Sequence, residues 1–233
     1  TGSILPKKVV TNDMLAGFLD TSDEWIRTRT GVVSRHVISD ERLEDMAIEA
    51  AKMALDNAGM KAEELDFIIC SNVVNEYVTP QLSCIIQGGI GATCPCIDIN
   101  CACAGFIYAV EIAESFYQAG KVRNVLVVSA EEPTRMTDWN DRRTCVLFGD
   151  GAGAAVLAPG DNIKCVKLSA SSATDKLWQY RLLHPTPYIT KKETDVPLQM
   201  KGQDVFKFAV KAASKDISRV LEETGHGADD VDH

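Results

Sequence analysis

Four of the chain's eight cysteines fall within ten residues, as Cys94-Pro95-Cys96 and Cys101-Ala102-Cys103. Thiols clustered in this way point to a metal centre or to a nucleophile. Structural zinc sites separate paired ligands by roughly two to four residues, so that the chain can turn around the ion. Here one residue separates each pair. Between the pairs, 96–100 reads as a short strand that turns Cys96, Ile97 and Asp98 to alternating faces. No metal is expected. Cys70, Cys84, Cys145 and Cys165 lie in apolar contexts and read as small buried hydrophobes.

Cys103 has a different setting. It follows the strand and a short turn, and it opens an amphipathic helix over about 104–119 that carries Phe106, Ala109, Val110, Ala113 and Tyr117 on one face and ends at Gly120. N–H groups without intrahelical partners point out of a helix start, and the helix dipole adds partial positive charge there. Both favour the thiolate, the nucleophilic form of cysteine. Ala104 and Gly105 are small and leave room for a carbonyl. The residues alone leave two readings open: a nucleophile, or a cysteine packed at a helix start. Cys101, ahead of the helix, is the second candidate.

The elements that must position this turn can be read from periodicity. Segment 41–58 is an amphipathic helix, with Leu43, Met46, Ala47, Ala50, Ala54, Leu55 and Ala58 at 3.6-residue spacing and Gly59 as its C-terminal cap. Segments 66–74 and 124–130 read as buried strands. Thr79-Pro80 predicts an N-cap followed by proline at the first helical position, ahead of Leu82, Ile85 and Ile86. Near the N-terminus, Asn12 caps a short helix, and Thr21 with Glu24 has capping-box spacing ahead of Trp25 and Ile26. Asp150-Gly151 predicts a hairpin joining 144–148 to 154–157. A strand is expected over 163–168, irregular chain over 170–203, and a long helix over 204–224. The last carries Phe206, Ala209, Val210, Ala213, Ile217, Val220 and Leu221 on one face, with Lys207, Lys211, Lys215 and Arg219 opposite. Helix and strand alternate through the first 160 residues, which implies an α/β layer structure.

Bulk properties narrow the function. The chain has 233 residues, 45% of them hydrophobic, and a net charge of −9. That acidic balance argues against a nucleic-acid partner. No run approaches the roughly 18 apolar residues of a membrane span, and no signal peptide opens the chain. A cytoplasmic location with reduced thiols is expected. The chain begins without Met and closes on Asp232-His233, so both ends read as cut.

Four stretches together resemble one family: TSDEWIRTRTG (21–31), CACAGFIYAV (101–110), DRRTCVLFGDGAGAAVL (141–157) and MKGQDVFKFAV (200–210). They are similar, in matching order over nearly the whole chain, to the ketoacyl-[acyl-carrier-protein] synthase III family of thiolase-fold condensing enzymes. The resemblance implies a five-layer αβαβα fold. Residues 1–160 would form its N-terminal half and 161–233 the incomplete start of its C-terminal half. It implies that Cys103 accepts an acyl group, typically acetyl, from coenzyme A. The thioester then condenses with malonyl-ACP (ACP, acyl carrier protein) as carbon dioxide leaves, starting fatty-acid synthesis. Acyl-CoA is a substrate here, and no cofactor is implied. The family is dimeric, so a homodimer is expected. Its enolate-stabilising His and Asn lie in a PHQAN-like stretch that nothing in this sequence matches. His233 sits just upstream of that place, and His36, His184 and His226 fall outside any matching motif.

The resemblance also assigns substrate-binding roles. Trp25 would stack on the adenine of coenzyme A, with Thr21, Arg29 and Arg142 around the nucleotide. Leu147 and Phe148 would line the acyl or pantetheine tunnel, and Met200, Phe206 and Ala209 join the substrate-binding set. Arg143 stands where the family often has Gly. Thr79 would face a partner subunit's acyl pocket, where a small side chain admits longer or branched acyl groups. Lys207 and Lys211 would dock the acidic carrier protein. FGDGAG (148–153) lacks the spacing of a nucleotide loop. The rival enzymes on this fold are the polyketide, alkylquinolone and HMG-CoA types. The rival of another class is a non-condensing acyl-CoA- or carrier-binding module.

Overall fold

The computed structural model describes residues 1–181, 186–188 and 196–232. His184 and His233 therefore lie outside the described residues. In chain order the elements are β1 (Gly2–Ile4), β2 (Lys8–Thr11), α1 (Asn12–Ala16), α2 (Asp23–Thr30), β3 (Ser34–Val37), α3 (Leu43–Ala58), β4 (Phe67–Ser71), α4 (Leu82–Ile90), β5 (Cys96–Ile99), α5 (Gly105–Gln118), β6 (Val125–Glu131), β7 (Gly151–Leu157), β8 (Leu177–Trp178), β9 (Gln199–Met200) and α6 (Gly202–Thr224). They form two compact units. The first holds Thr1–Thr11, Ser34–Thr134 and Gly149–Leu168, and the second Asn12–Val33, Arg135–Phe148 and Ser169–His233.

The first unit is built on a five-stranded sheet of order β1-β7-β6-β4-β5. β4 runs parallel to β5 and β6, while β7 is antiparallel to β6 and β1. β6 explains the apolar run that predicted it. Val125 and Val127 pack with Ile69, Ala109 and Ala113, the last two from α5. Leu126, Val128 and Ala130 turn to the other side and pack with residues of α3 and α4, among them Met46, Ala50, Leu82 and Ile86. A strand covered on both faces loses the alternation of a half-exposed one. The alanines of α3 (Ala47, Ala50, Ala51 and Ala54) are fully buried and bring the helix close to the sheet. Gly59 ends that helix in the left-handed conformation, as its sequence predicts.

Four local expectations are corrected. The hairpin around Asp150-Gly151 does not form, because 141–147 is a series of turns organised by Asp141. Its carbonyl accepts from the Thr144 and Cys145 N–H groups at 3.1 and 3.2 Å, and Leu147 N–H donates to the Thr144 carbonyl at 3.0 Å. Only the second arm is a strand, and β7 pairs with β6 and β1. Asp150 is instead a buried acceptor: its carboxylate takes the Ile38 N–H at 2.8 Å, the Thr134 N–H at 3.1 Å and the Thr134 hydroxyl at 2.7 Å. The strand expected over 163–168 is irregular chain; β propensity without a partner strand does not make a strand. Thr79-Pro80 does not cap α4. That peptide is cis, the N-cap residue is Gln81, and the Asp98 carboxylate accepts the Leu82 and Ser83 N–H groups, each at 2.8 Å. Thr21 does not cap α2 either. Ser22 does, its hydroxyl accepting the Trp25 N–H at 3.1 Å.

In the second unit, α6 is the long helix its periodicity predicts, closed by left-handed Gly225. None of its residues is buried; Phe206 is 65% and Ile217 60% exposed. Of its apolar face, Phe206, Ala209, Val210, Ala213 and Ile217 are exposed, while Val220 and Leu221 are half-buried. No helix of the described residues is long and apolar enough to cross a membrane.

Candidate active site

Cys103 lies beyond the carboxyl end of β5, at the edge of the sheet where parallel β4, β5 and β6 all end. Open α/β sheets carry their reactive groups at such ends. Of the eight cysteines it alone is exposed. Burial pushes the Cys70 and Cys94 thiols up, and the Cys96 thiol up to about 11. Ala102–Ala104 is a single 3-10 turn, with N–H groups of Ala104 and Gly105 bonded back to the carbonyls of Cys101 and Ala102. The Cys103 N–H lies outside that pair of bonds, in the first turn ahead of α5. Ala102 adopts φ +48, the only positive φ of a non-glycine residue among those described. A left-handed alanine costs about 1–2 kcal/mol, and such strain is held where surrounding packing fixes a turn.

Gly105 supplies that packing. A Cβ placed on it would lie 1.8 Å from Ser71 Oγ and 2.8 Å from Ser71 Cβ. Ser71 ends β4 and is buried. The absent side chain therefore lets the start of α5 seat directly on the end of β4, which fixes where Cys103 emerges. Sequence reading identified Gly105 only as small; the contact with Ser71 joins residues 34 positions apart in the sequence.

Glu131 closes the neighbouring end of β6. Its two carboxylate oxygens accept the Val73 N–H, each at 3.1 Å, and hold the chain leaving β4. Asn72 Nδ2 ties the same segment to the Ala130 carbonyl at 2.7 Å. Burial outweighs the Val73 bonds and raises the Glu131 carboxyl from 4.5 to about 7. Because the folded-state value is the higher one, the stability this group contributes is complete below about 4.5 and is lost as pH rises through about 7. The loss is on the order of 3 kcal/mol. Glu131→Gln is expected to flatten this decline. Urea midpoints measured from about pH 4.5 to about pH 8 check it, and an equally steep decline in the variant would contradict it.

In the second unit, α2 carries Trp25 and Arg29 on one face, one turn apart. The Arg29 guanidinium carbon lies 4.5 Å, and that of Arg142 4.9 Å, from the Trp25 ring centroid. Arg142 also donates to the Asp20 carbonyl and stands 3.4 Å from the Asp20 carboxylate. Arg143 turns away onto Asp141, with its Nε 2.9 and 3.0 Å from the two oxygens and Nη2 2.8 Å from one. That pairing holds the Asp141 carboxyl low. Since Ser22 takes the cap, the Thr21 hydroxyl oxygen is left sheltered without a partner. Asp20, Asp138, Asp141, Arg142 and Arg143 contribute to a cavity of about 560 Å³ beside this cluster. A flat indole with flanking guanidinium groups matches the needs of a purine nucleotide.

Thr79 is exposed in the first unit, just ahead of α4. Leu147 is exposed and Phe148 half-buried at the end of the Asp141 turns. Met200 pairs with Leu177 where β9 meets β8. Phe206, Lys207, Ala209 and Lys211 are exposed on α6. Trp25, Arg29 and Arg142 are brought into one cluster, and Cys103 belongs to the first unit. Among the described residues, no three His, Cys, Asp or Glu side chains form a metal-holding group.

Comparison with known proteins gives a consistent picture. Residues 97–175 match the family described as 3-Oxoacyl-[acyl-carrier-protein (ACP)] synthase III. Over 99% of the chain, and 73% of the relative, the sequence is 41% identical to a beta-ketoacyl-[acyl-carrier-protein] synthase III of Clostridium perfringens. Against the same enzyme of Xanthomonas campestris it is 41% identical over 100% of the chain and 73% of the relative. The crystal structure of 3-oxoacyl-[acyl-carrier-protein] synthase III from Aquifex aeolicus superposes with a TM-score of 0.87 at 39% identity, covering 99% of this chain and 72% of that one.

Proposed function

The chain belongs to the β-ketoacyl-[acyl-carrier-protein] synthase III family, and from that premise we propose that Cys103 is its acyl-accepting nucleophile. The fold is thiolase-like, and the function is that of a condensing enzyme that starts fatty-acid synthesis. Acyl-CoA and the acyl carrier protein are its partners. The polyketide, alkylquinolone and HMG-CoA alternatives are not favoured by these relatives. The observation that carries the assignment of Cys103 is its place: an exposed thiol in a strained turn at the carboxyl ends of parallel strands, ahead of a helix seated on β4.

In the proposed acyl transfer, the Cys103 sulfur attacks the thioester carbonyl and the coenzyme A thiol leaves. The Cys103 N–H takes part in holding the developing oxyanion. In the condensing step, malonyl-ACP loses carbon dioxide, and the carbanion so formed attacks the Cys103 thioester. No external base is needed to remove a carbon-bound proton. The family's His and Asn act in that second step, and no stretch of this sequence matches theirs. Transfer of label from radioactive acetyl-CoA to the protein tests the proposal. Binding without transfer would support a non-condensing binding module instead.

Trp25, with Thr21, Arg29 and Arg142, is proposed to hold the adenine nucleotide, and Leu147, Phe148, Met200, Phe206 and Ala209 to border the acyl and pantetheine path. Trp25→Ala is expected to raise KM for acetyl-CoA about tenfold, with kcat little changed, since stacking is made in ground and transition states alike. An unchanged KM would remove Trp25 from the site. The same assay with branched four- and five-carbon acyl-CoAs reads the proposed part of Thr79 at a partner subunit's acyl pocket, and a strict preference for acetyl would contradict it. We propose a homodimer in the cytoplasm, using no cofactor; β5, an edge strand with Ile97 42% exposed, is a surface that a second subunit could cover.

Lys207 and Lys211, exposed on α6 in line with Lys215 and Arg219, are proposed to steer the acidic carrier. Reversing both charges is expected to raise the apparent KM for malonyl-ACP about tenfold or more at low salt. An unchanged value would exclude docking there.

A further inference from the structure

Outside the acyl-transfer turn, two further thiols touch. Cys84, in the first turn of α4, has its sulfur 3.4 Å from that of Cys96, the first residue of β5. Both are half-buried and free. The Gln81 side-chain amide bridges the same place, donating to Cys84 Sγ at 3.6 Å and to the Cys96 carbonyl at 3.3 Å, and accepting the Asp98 N–H at 3.2 Å. The helix start and the edge strand are thus already aligned by polar contacts on either side of the sulfurs. Bond formation needs an approach of roughly 1.4 Å from the observed contact. Among the described residues no third ligand completes a metal group at this pair, so its available chemistry is thiol oxidation.

We propose that Cys84 and Cys96 form a peroxide-sensitive thiol pair that closes to a disulfide latch between α4 and β5. The Cys84 sulfur, which receives the Gln81 amide, attacks the terminal oxygen of a hydroperoxide. The O–O bond breaks, and Cys84 becomes a sulfenic acid as water or an alcohol leaves. The Cys96 sulfur then attacks the sulfenic sulfur. The S–O bond breaks, and the departing hydroxide leaves as water with the Cys96 proton. Two thiols and one hydroperoxide with two oxidising equivalents give one disulfide, with no other reductant or oxidant required. Burial pushes the Cys96 thiol up to about 11, which disfavours Cys96 as the sulfur that meets peroxide first. The latch would join the first turn of α4 to the strand that leads into the Cys103 turn. It rests on this contact and not on the reading of Cys103, whose own oxidation is a separate event.

The test treats the whole chain with hydrogen peroxide, blocks free thiols with an alkylating agent, and maps peptic peptides without reduction. The expected result is a Cys84–Cys96 linkage, seen as loss of two hydrogens and of both alkylations. With it comes a thermal midpoint raised by about 5 °C or more, reversed by dithiothreitol. Cys84→Ser and Cys96→Ser are each expected to abolish the linkage and the rise while melting near the reduced wild type. The exposed Cys103 reports in the same digest that peroxide reached the protein. Oxidation at Cys103 with Cys84 and Cys96 both alkylated would overturn the proposal, as would a linkage of Cys96 to Cys94 instead.

Discussion

Gly105→Ala is expected to cost at least about 3 kcal/mol of stability and to lower the melting midpoint by roughly 6–12 °C. The added methyl would stand 1.8 Å from Ser71 Oγ, and rotating that hydroxyl away still leaves Ser71 Cβ at 2.8 Å. Real carbon atoms do not approach so closely, so α5 must lift from β4 or β4 must shift within the sheet. Either movement displaces the turn that presents Cys103, so acyl transfer should fall with stability. Ser71→Gly in the same chain removes both crowded atoms and is expected to recover most of the lost midpoint, although Ser71→Gly alone destabilises. That sign reversal in a double-mutant cycle identifies direct contact. A Gly105→Ala variant that melts like the wild type would show that α5 does not sit on β4 as described.

Cys103→Ser is expected to reduce acyl transfer about a thousandfold or more, because a serine hydroxyl is far less nucleophilic than a cysteine thiolate. The side chain is exposed, so the variant should melt close to the wild type. Cys101→Ser is the discriminating control. Cys101 precedes the 3-10 turn and its carbonyl, rather than its sulfur, serves the turn's first bond. Near-normal transfer in Cys101→Ser alongside loss in Cys103→Ser assigns the nucleophile. The reverse pattern would move it two residues back.

The strand–turn–helix placement of Cys103 was legible because it depends on local signals: an apolar strand, small residues and a helical period. The same holds for α3, whose apolar stripe and terminal Gly59 sit within one stretch of sequence. The illegible features depend on partners far along the chain. Asp150 reads locally as a hairpin residue, yet it is consumed by Ile38 and Thr134. Asp98 reads as a strand carboxylate, yet it caps α4. Thr21 and Ser22 are both good caps, and no local rule separates them; the fold gives the cap to Ser22. Residues 163–168 have the composition of a strand but gain nothing from it without a neighbour to pair with. The approach of Arg29 to Trp25 follows from helical spacing, whereas that of Arg142 joins residues more than a hundred positions apart; the family resemblance implies only that both arginines lie around the nucleotide.

The most direct test of the acyl-transfer account is to incubate the chain with acetyl-CoA, quench in acid and locate the modification by peptide mass mapping. The predicted result is one acetyl group, on the peptide containing Cys103 and on the sulfur of that residue, removable by hydroxylamine as a thioester. Acetylation of Cys101 or of a lysine with Cys103 left free, or no acetylation by a folded chain that binds acetyl-CoA, would contradict it.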